Sequence, residues 1–174
     1  MSWRKYNWSI IVLSILLTFA GASGIYYFWQ KNMVTKPLTV AIQEIEGIEI
    51  VTLDTHNKMQ NGLGIDVTLN NISNLPATYE RINHTIKTSI GSEKYKLTLH
   101  DHRTPPLEEL YYSIHHQVYE GISTGKFGKM YQVIAEKAAA VNTKAQVYVD
   151  SNYVYVQLST ATGNLYQVIP REVK

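Results

Sequence analysis

Residues 65–99 read IDVTLNNISNLPATYERINHTIKTSIGSEKYKLTL. Two periodicities succeed each other in this stretch. Ile65, Val67 and Leu69 alternate with Asp66, Thr68 and Asn70, the period of two expected of a half-buried strand over 65–70. Leu75, Tyr79, Ile82, Ile86 and Ile90 then recur every three or four residues, one apolar stripe along a helix. Asn74 or Ser73 caps that helix near Pro76, and Gly91 stops it. Tyr95, Leu97 and Leu99 alternate with Lys94, Lys96 and Thr98, a second half-buried strand.

Toward the N-terminus, Pro37 opens a short helix carrying Val40, Ala41, Ile42 and Ile45, which Gly47 ends. Ile48 to Asp54 is β-branched and reads as a strand. Residues 55–64, with Asn57, Asn61, Gly62 and Gly64, are turn chemistry. Toward the C-terminus, Thr104 before Pro105 caps a helix whose inner face is Leu107, Leu110, Tyr111, Ile114, Val118 and Ile122. A break at Gly121 to Gly125 precedes a further helix with Phe127, Met130, Tyr131, Ile134, Ala138 and Val141 inward. A hairpin turning at Ser151-Asn152 pairs Val147 with Val156 and Val149 with Val154. Leu165 to Ile169 forms a last strand, stopped by Pro170. The fold class expected is α+β: a two-layer domain over 37–174, its sheet largely antiparallel and its helices on one face.

The order from Pro37 to His102 is helix, strand, strand, helix, strand. It resembles in outline the small ring-building domains of secretion and sporulation membrane complexes, which also sit just outside an anchor. The likeness covers under half of the chain and rests on element order, so no residue role is carried over.

Residues 9–29, SIIVLSILLTFAGASGIYYFW, contain no charge. At 1.5 Å per residue they span about 30 Å, the thickness of a bilayer core. Trp3, Tyr6 and Trp8 flank one end and Tyr26, Tyr27 and Trp29 the other, the placement of aromatic belts. The organisation expected is a cytoplasmic leader at 1–8, a transmembrane anchor at 9–29, a linker at 30–36 and an extracytoplasmic domain at 37–174. A rival reading takes Arg4 and Lys5 as the n-region of a signal peptide cleaved after Ala22. Against it, the apolar run continues through Ile25 to Trp29, a poor start for a mature soluble chain.

Composition narrows the function classes. Of 16 basic residues only Arg4 and Lys5 precede position 30, which leaves 14 against 14 acidic residues in the remainder. A neutral domain has no electrostatic footprint for a phosphate backbone, so no nucleic-acid partner is expected. The absence of cysteine removes disulfide scaffolds, zinc fingers, iron–sulfur clusters and thiol nucleophiles. Asn71-Ile72-Ser73 and Asn83-His84-Thr85 match the glycosylation sequon, a pattern that arises often by chance.

His100-Asp101-His102 is the sharpest local constellation. On a strand the two imidazoles share a face, and His115 or His116 with Glu108 or Glu109 would complete a zinc ligand set. The competing reading is of solvated histidines on separate elements. Glu108 and Glu109 suit a helix start through the helix dipole alone. No Gly-x-Ser-x-Gly elbow is present, and the paired glycines lack a phosphate-loop context.

In the hairpin, Tyr148, Tyr153, Tyr155 and Gln157 share the face opposite the valines. Tyrosine and glutamine give rigid, amphipathic contact area with hydrogen-bonding tips, so these four are the candidates for contact with a partner. The alternative is cross-strand aromatic pairing, or a helix lying over that face.

The function expected is a membrane-tethered extracytoplasmic accessory or assembly protein of the cell envelope. It would act through protein or cell-wall contacts, not catalysis, and hold no cofactor and no metal. Its partners would be the lipid bilayer through 9–29 and a protein or wall polymer. An extracytoplasmic sensor or ligand-binding domain is the alternative, and a metal-dependent hydrolase on His100 and His102 a third reading.

Overall fold

The computed structural model describes residues 8–30, 36–54 and 62–171. The leader with Trp3, Arg4, Lys5 and Tyr6, the linker over 31–35 and the turn over 55–61 lie outside the described residues, as do the side chains at 9, 10 and 27–30. The elements in order are α1 (Trp8–Gln30), α2 (Lys36–Gln43), β1 (Ile48–Asp54), β2 (Leu63–Leu69), α3 (Leu75–Ile90), β3 (Tyr95–His100), α4 (Pro105–Thr124), α5 (Phe127–Ala140), β4 (Lys144–Val149), β5 (Tyr153–Ser159) and β6 (Asn164–Pro170). The chain is of the α+β class.

Local sequence sets the helix ends. The Asn74 side chain accepts the Ala77 N–H at 3.0 Å, satisfying one of the orphan donors in the first turn of α3. The Gly91 N–H closes the other end on the Lys87 carbonyl. Thr104 occupies the cap position of α4, but its hydroxyl makes no capping bond. Gly125 ends α4 at φ +71°, a left-handed conformation that glycine adopts without steric cost.

The strands form two three-stranded sheets, not the one expected. In the first, β2 is central, antiparallel to β1 and parallel to β3. The parallel pair follows from α3, a crossover helix that returns the chain to the starting end of the sheet. The second sheet, β4-β5-β6, is antiparallel throughout. Its hairpin register is the one the spacing predicts, with Val147 opposite Val156, Tyr148 opposite Tyr155 and Val149 opposite Val154.

Leu63, Ile65, Val67 and Leu69 turn one face of the first sheet toward Leu38 and Ile42 of α2 and Leu75, Ile82 and Ile86 of α3. A second core joins Leu107, Ile114, Val118, Met130 and Ile134 of α4 and α5 to Val154, Val156, Leu158, Leu165 and Ile169 of the second sheet. The opposite face of that sheet is covered too: Tyr155 and Tyr166 belong to the first core. The expectation of helices on one face of one sheet is therefore corrected, since the second sheet is an inner layer between the two cores.

Polar groups fasten the seam between the halves beside these aromatic contacts. Asp101 accepts the Tyr166 N–H at 2.9 Å. Buried Asn164 donates its backbone N–H to the His102 carbonyl at 3.0 Å. Its side-chain oxygen accepts the His102 N–H, and its amide nitrogen donates to Asn70 Oδ1. A side chain at Gly163 would collide with the His102 carbonyl, so the β5–β6 turn seats there only with glycine. The Ile72 backbone is held on both sides, its N–H by the Tyr166 hydroxyl at 3.3 Å and its carbonyl by Gln157 Nε2 at 2.8 Å.

Among the described residues no helix is long and apolar enough to cross a membrane. The described side chains of α1 run from 11 to 26, with Trp8, a stretch shorter than the ~20 residues a bilayer core requires. All of them are exposed.

Candidate functional site

An open groove of about 420 Å³ runs between α3 and the β4–β5 turn. Pro76, Glu80, Asn83 and Lys87 line it from α3, at spacings of four, three and four that place them along one side of a helix. The apolar stripe of α3 faces the core, which leaves this flank at the seam. Tyr95 enters from the start of β3, and Asp150, Ser151, Asn152, Tyr153 and Tyr155 from the hairpin. Tyr79 stands between the two walls.

Three rings form the floor. Tyr79 meets Tyr153 edge-on at 5.5 Å between centroids and Tyr155 at 6.0 Å, and Tyr153 lies 6.0 Å from Tyr155. These are contact distances for aromatic pairs, so the rings make a continuous wall and not a cage with room between them. The fourth phenol, Tyr95, donates to Asn83 Oδ1 at 2.7 Å, while Asn83 Nδ2 donates to the Tyr79 carbonyl at 2.8 Å. The amide of the Asn83-His84-Thr85 sequon is thus engaged within the fold.

The turn wall is pre-organised. Asp150 Oδ1 accepts the Asn152 and Tyr153 N–H groups, both at 2.7 Å, and Oδ2 accepts the Tyr155 hydroxyl at 2.7 Å. Arg171 clasps the turn from behind. Its N–H donates to the Asn152 carbonyl and its guanidinium to the Asp150 carbonyl, and it sits over the Phe127 ring. Burial opposes the charge on Asp150, but bonds from the Tyr155 hydroxyl and the two amides outweigh it and hold its pKa below the ordinary carboxylate value. Burial, then the neighbouring Tyr153, pushes the Tyr79 phenol up to about 12. Burial, then the bond to Asp150, raises Tyr155 further. These phenols are neutral donors at physiological pH, and none is poised to act as a base.

The four contact candidates from the sequence separate. Tyr153 is half-buried and lines the groove. Tyr155 also reaches it, but is only 4% exposed, and Gln157 is 3% exposed with its amide on the Ile72 carbonyl. Tyr148 is half-buried and packs against the first core, its hydroxyl accepting from Gln146 at 3.0 Å. Tyr155 and Gln157 are therefore covered by the rest of the fold, in keeping with the alternative reading of this face. The Gln157 amide finds its partner across the seam at the Ile72 carbonyl, while the Tyr155 hydroxyl donates to Asp150 of its own hairpin. Gln157 Oε1 is buried without a hydrogen-bond partner among the described residues.

Tyr79, Asn83, Tyr95 and Asp150 are site residues that sequence reading did not single out. The one available signal is Tyr79, an aromatic ring in a stripe otherwise made of leucine and isoleucine.

The histidines do not converge. His100 Nε2 lies 3.1 Å from Asp66 Oδ1 and His102 Nε2 lies 2.5 Å from Glu49 Oε2, two separate and largely exposed pairs. His115 Nδ1 contacts the Tyr112 carbonyl at 2.6 Å within α4, and its ring stacks on His116. Among the described residues no three histidine or carboxylate side chains gather where they could hold a metal ion. The candidate ligand set of His100, His102, His115 or His116 and Glu108 or Glu109 is not assembled among the described residues. Asp101, between the two histidines, is a seam residue instead.

A second hollow of about 310 Å³ lies along α4 beside Arg103, Tyr111, Tyr112 and Tyr119. The cleft between α4 and α5 at Gly121 and Met130 holds only about 20 Å³, little more than one water.

No family model, no curated protein and no solved structure matches this chain.

Proposed function

We propose that this protein is a membrane-tethered accessory or assembly module of the cell envelope, non-catalytic, which makes its contacts through the tyrosine groove. The observation that carries the reading is the convergence of Tyr79, Tyr95, Tyr153 and Tyr155 on one open, pre-organised groove. Its size falls in the range of ordinary ligand sites, roughly 300–1,000 Å³. Its Tyr95, Asp150 and Tyr155 side chains are tied into structural bonds, with no nucleophile–base pair among them, which favours binding over chemistry.

The tether in this proposal is α1. Its sequence carries no charge. Leu16, Leu17 and Phe19 are 61%, 66% and 70% exposed. A helix apolar on every side has no stripe to lay on a domain, and a bilayer is the solvent that would cover it. The groove domain would then stand on the extracytoplasmic side.

The test has two arms. Full-length protein should stay in the membrane fraction after high salt and alkaline carbonate, and a reporter fused after Lys174 should be active outside the cytoplasm. A photo-crosslinker at Ser151 or Lys87 should give discrete envelope adducts, while one at Tyr131, away from the groove, should not. Extraction by carbonate would remove the tether, and equal crosslinking from both positions would remove the groove.

A further inference from the structure

We propose that the groove binds a neutral glycan chain. The inference rests on the groove being the contact site and concerns only the chemistry of what occupies it. Shape comes first. The lining of α3 from Pro76 to Lys87 extends for about 16 Å at helical rise, an open trough for a chain.

The floor is the second argument. Because the centroids of Tyr79, Tyr153 and Tyr155 lie within 5.5–6.0 Å of one another, no cation or side chain inserts between the rings. An aromatic cage holds a cation between the faces of several rings at once, and here Tyr79 packs edge-on against the other two instead. What remains is a wall of phenol edges and faces. The C–H face of a sugar ring packs on such a wall, while its hydroxyls reach the phenol oxygens and polar rim.

The third argument is what the groove lacks. Pro76 is the single aliphatic lining residue among those described. A peptide gains most of its affinity from a few large side chains seated in apolar pockets, and none is present.

Charge completes the case. Glu80 and Lys87 carry opposite charges on the same wall, and the Asp150 carboxylate is committed to Tyr155 and two backbone amides. An anionic phosphate polymer would meet two acids and one base. The Ser151 hydroxyl and the Asn152 side-chain amide make no hydrogen bond among the described residues and stand at the rim, the donors and acceptors that sugar hydroxyls require.

The experiment uses full-length protein in detergent micelles and an array of neutral oligosaccharides that includes chitin fragments. Poly(glycerol phosphate) and a peptide array are the comparison probes. A neutral oligosaccharide should bind, and Glu80→Gln or the double change Ser151→Ala with Asn152→Ala should weaken it roughly fivefold or more, with unfolding unchanged. Tyr153→Ala should weaken it further. Binding of peptide or poly(glycerol phosphate) alone, lost in the same variants, would overturn the glycan and leave the groove standing. Binding of any probe that is indifferent to all these variants would overturn both.

Discussion

The carboxylate of Asp101 and the backbone N–H of Tyr166 meet at 2.9 Å, although 65 residues of chain separate them. The same carboxylate receives Nε and Nη2 of Arg103 at 2.8 and 3.0 Å and is itself 2% exposed. One side chain thus fastens the loop after β3 to β6 and keeps its charge paired.

Replacing Asp101 with alanine strands the Tyr166 N–H and frees Arg103. Leaving a buried donor unsatisfied costs about 1–3 kcal/mol, while the freed Arg103, its side chain 37% exposed, turns to water. Urea unfolding of the detergent-solubilised protein should show that loss. A change below about 0.5 kcal/mol, the size of an ordinary surface substitution, would mean the seam does not depend on Asp101.

Both faces of β5 are buried, so neither tolerates a polar truncation. Val156→Ser and Tyr155→Ser should each destabilise by about 2–5 kcal/mol, the tyrosine the more because it leaves the larger void. Tyr148→Ser, half-buried on edge strand β4, should cost about 1 kcal/mol. If Tyr155→Ser unfolds at the wild-type midpoint, the tyrosine face is open after all.

Tyr79, with its phenol near 12, and Tyr155, raised above it, bind their protons more tightly folded than unfolded, where the value is about 10. Their contribution is complete below about pH 10 and is lost as pH rises through the folded values. The unfolding midpoint should fall as the pH rises from about 10 to about 12, and less steeply in Tyr79→Phe. Parallel slopes in the two proteins would refute the assignment.

The pairs His100–Asp66 and His102–Glu49 are about half exposed on both sides. Exposed ion pairs contribute about 0–1 kcal/mol, so His100→Ala and His102→Ala should each stay within that range. A loss above about 2 kcal/mol in chemical denaturation would show that the pairs hold the first sheet together.

Much of this architecture was legible in the residues. The stripe from Leu75 to Ile90, the alternation at Ile65, Val67 and Leu69, and the hairpin register at Val147 and Val156 are local patterns, and periodicity reports local patterns faithfully. The burial of Tyr155 and Gln157 was not legible. Alternation of valine with tyrosine or glutamine looks the same whether the polar tips meet water or the Ile72 backbone. The distinction lies in a contact made 85 residues away. The groove was hidden for the same reason: Tyr79, Tyr95 and Tyr153 come from three elements that only the packed seam brings together. His100 and His102 invited a metal reading because they flank one residue. Their carboxylate partners lie on two different strands and draw them apart.

The groove has one wall on α3 and the other on the β4–β5 turn, on opposite sides of the seam. An occupant is therefore a reversible cross-link between the two halves, and affinity and cohesion become reciprocal quantities. At a hundred times its dissociation constant a ligand would add about 2.7 kcal/mol to the folded state. By the same linkage, a substitution at Asp101 that loosens the halves should weaken binding in a groove it does not touch.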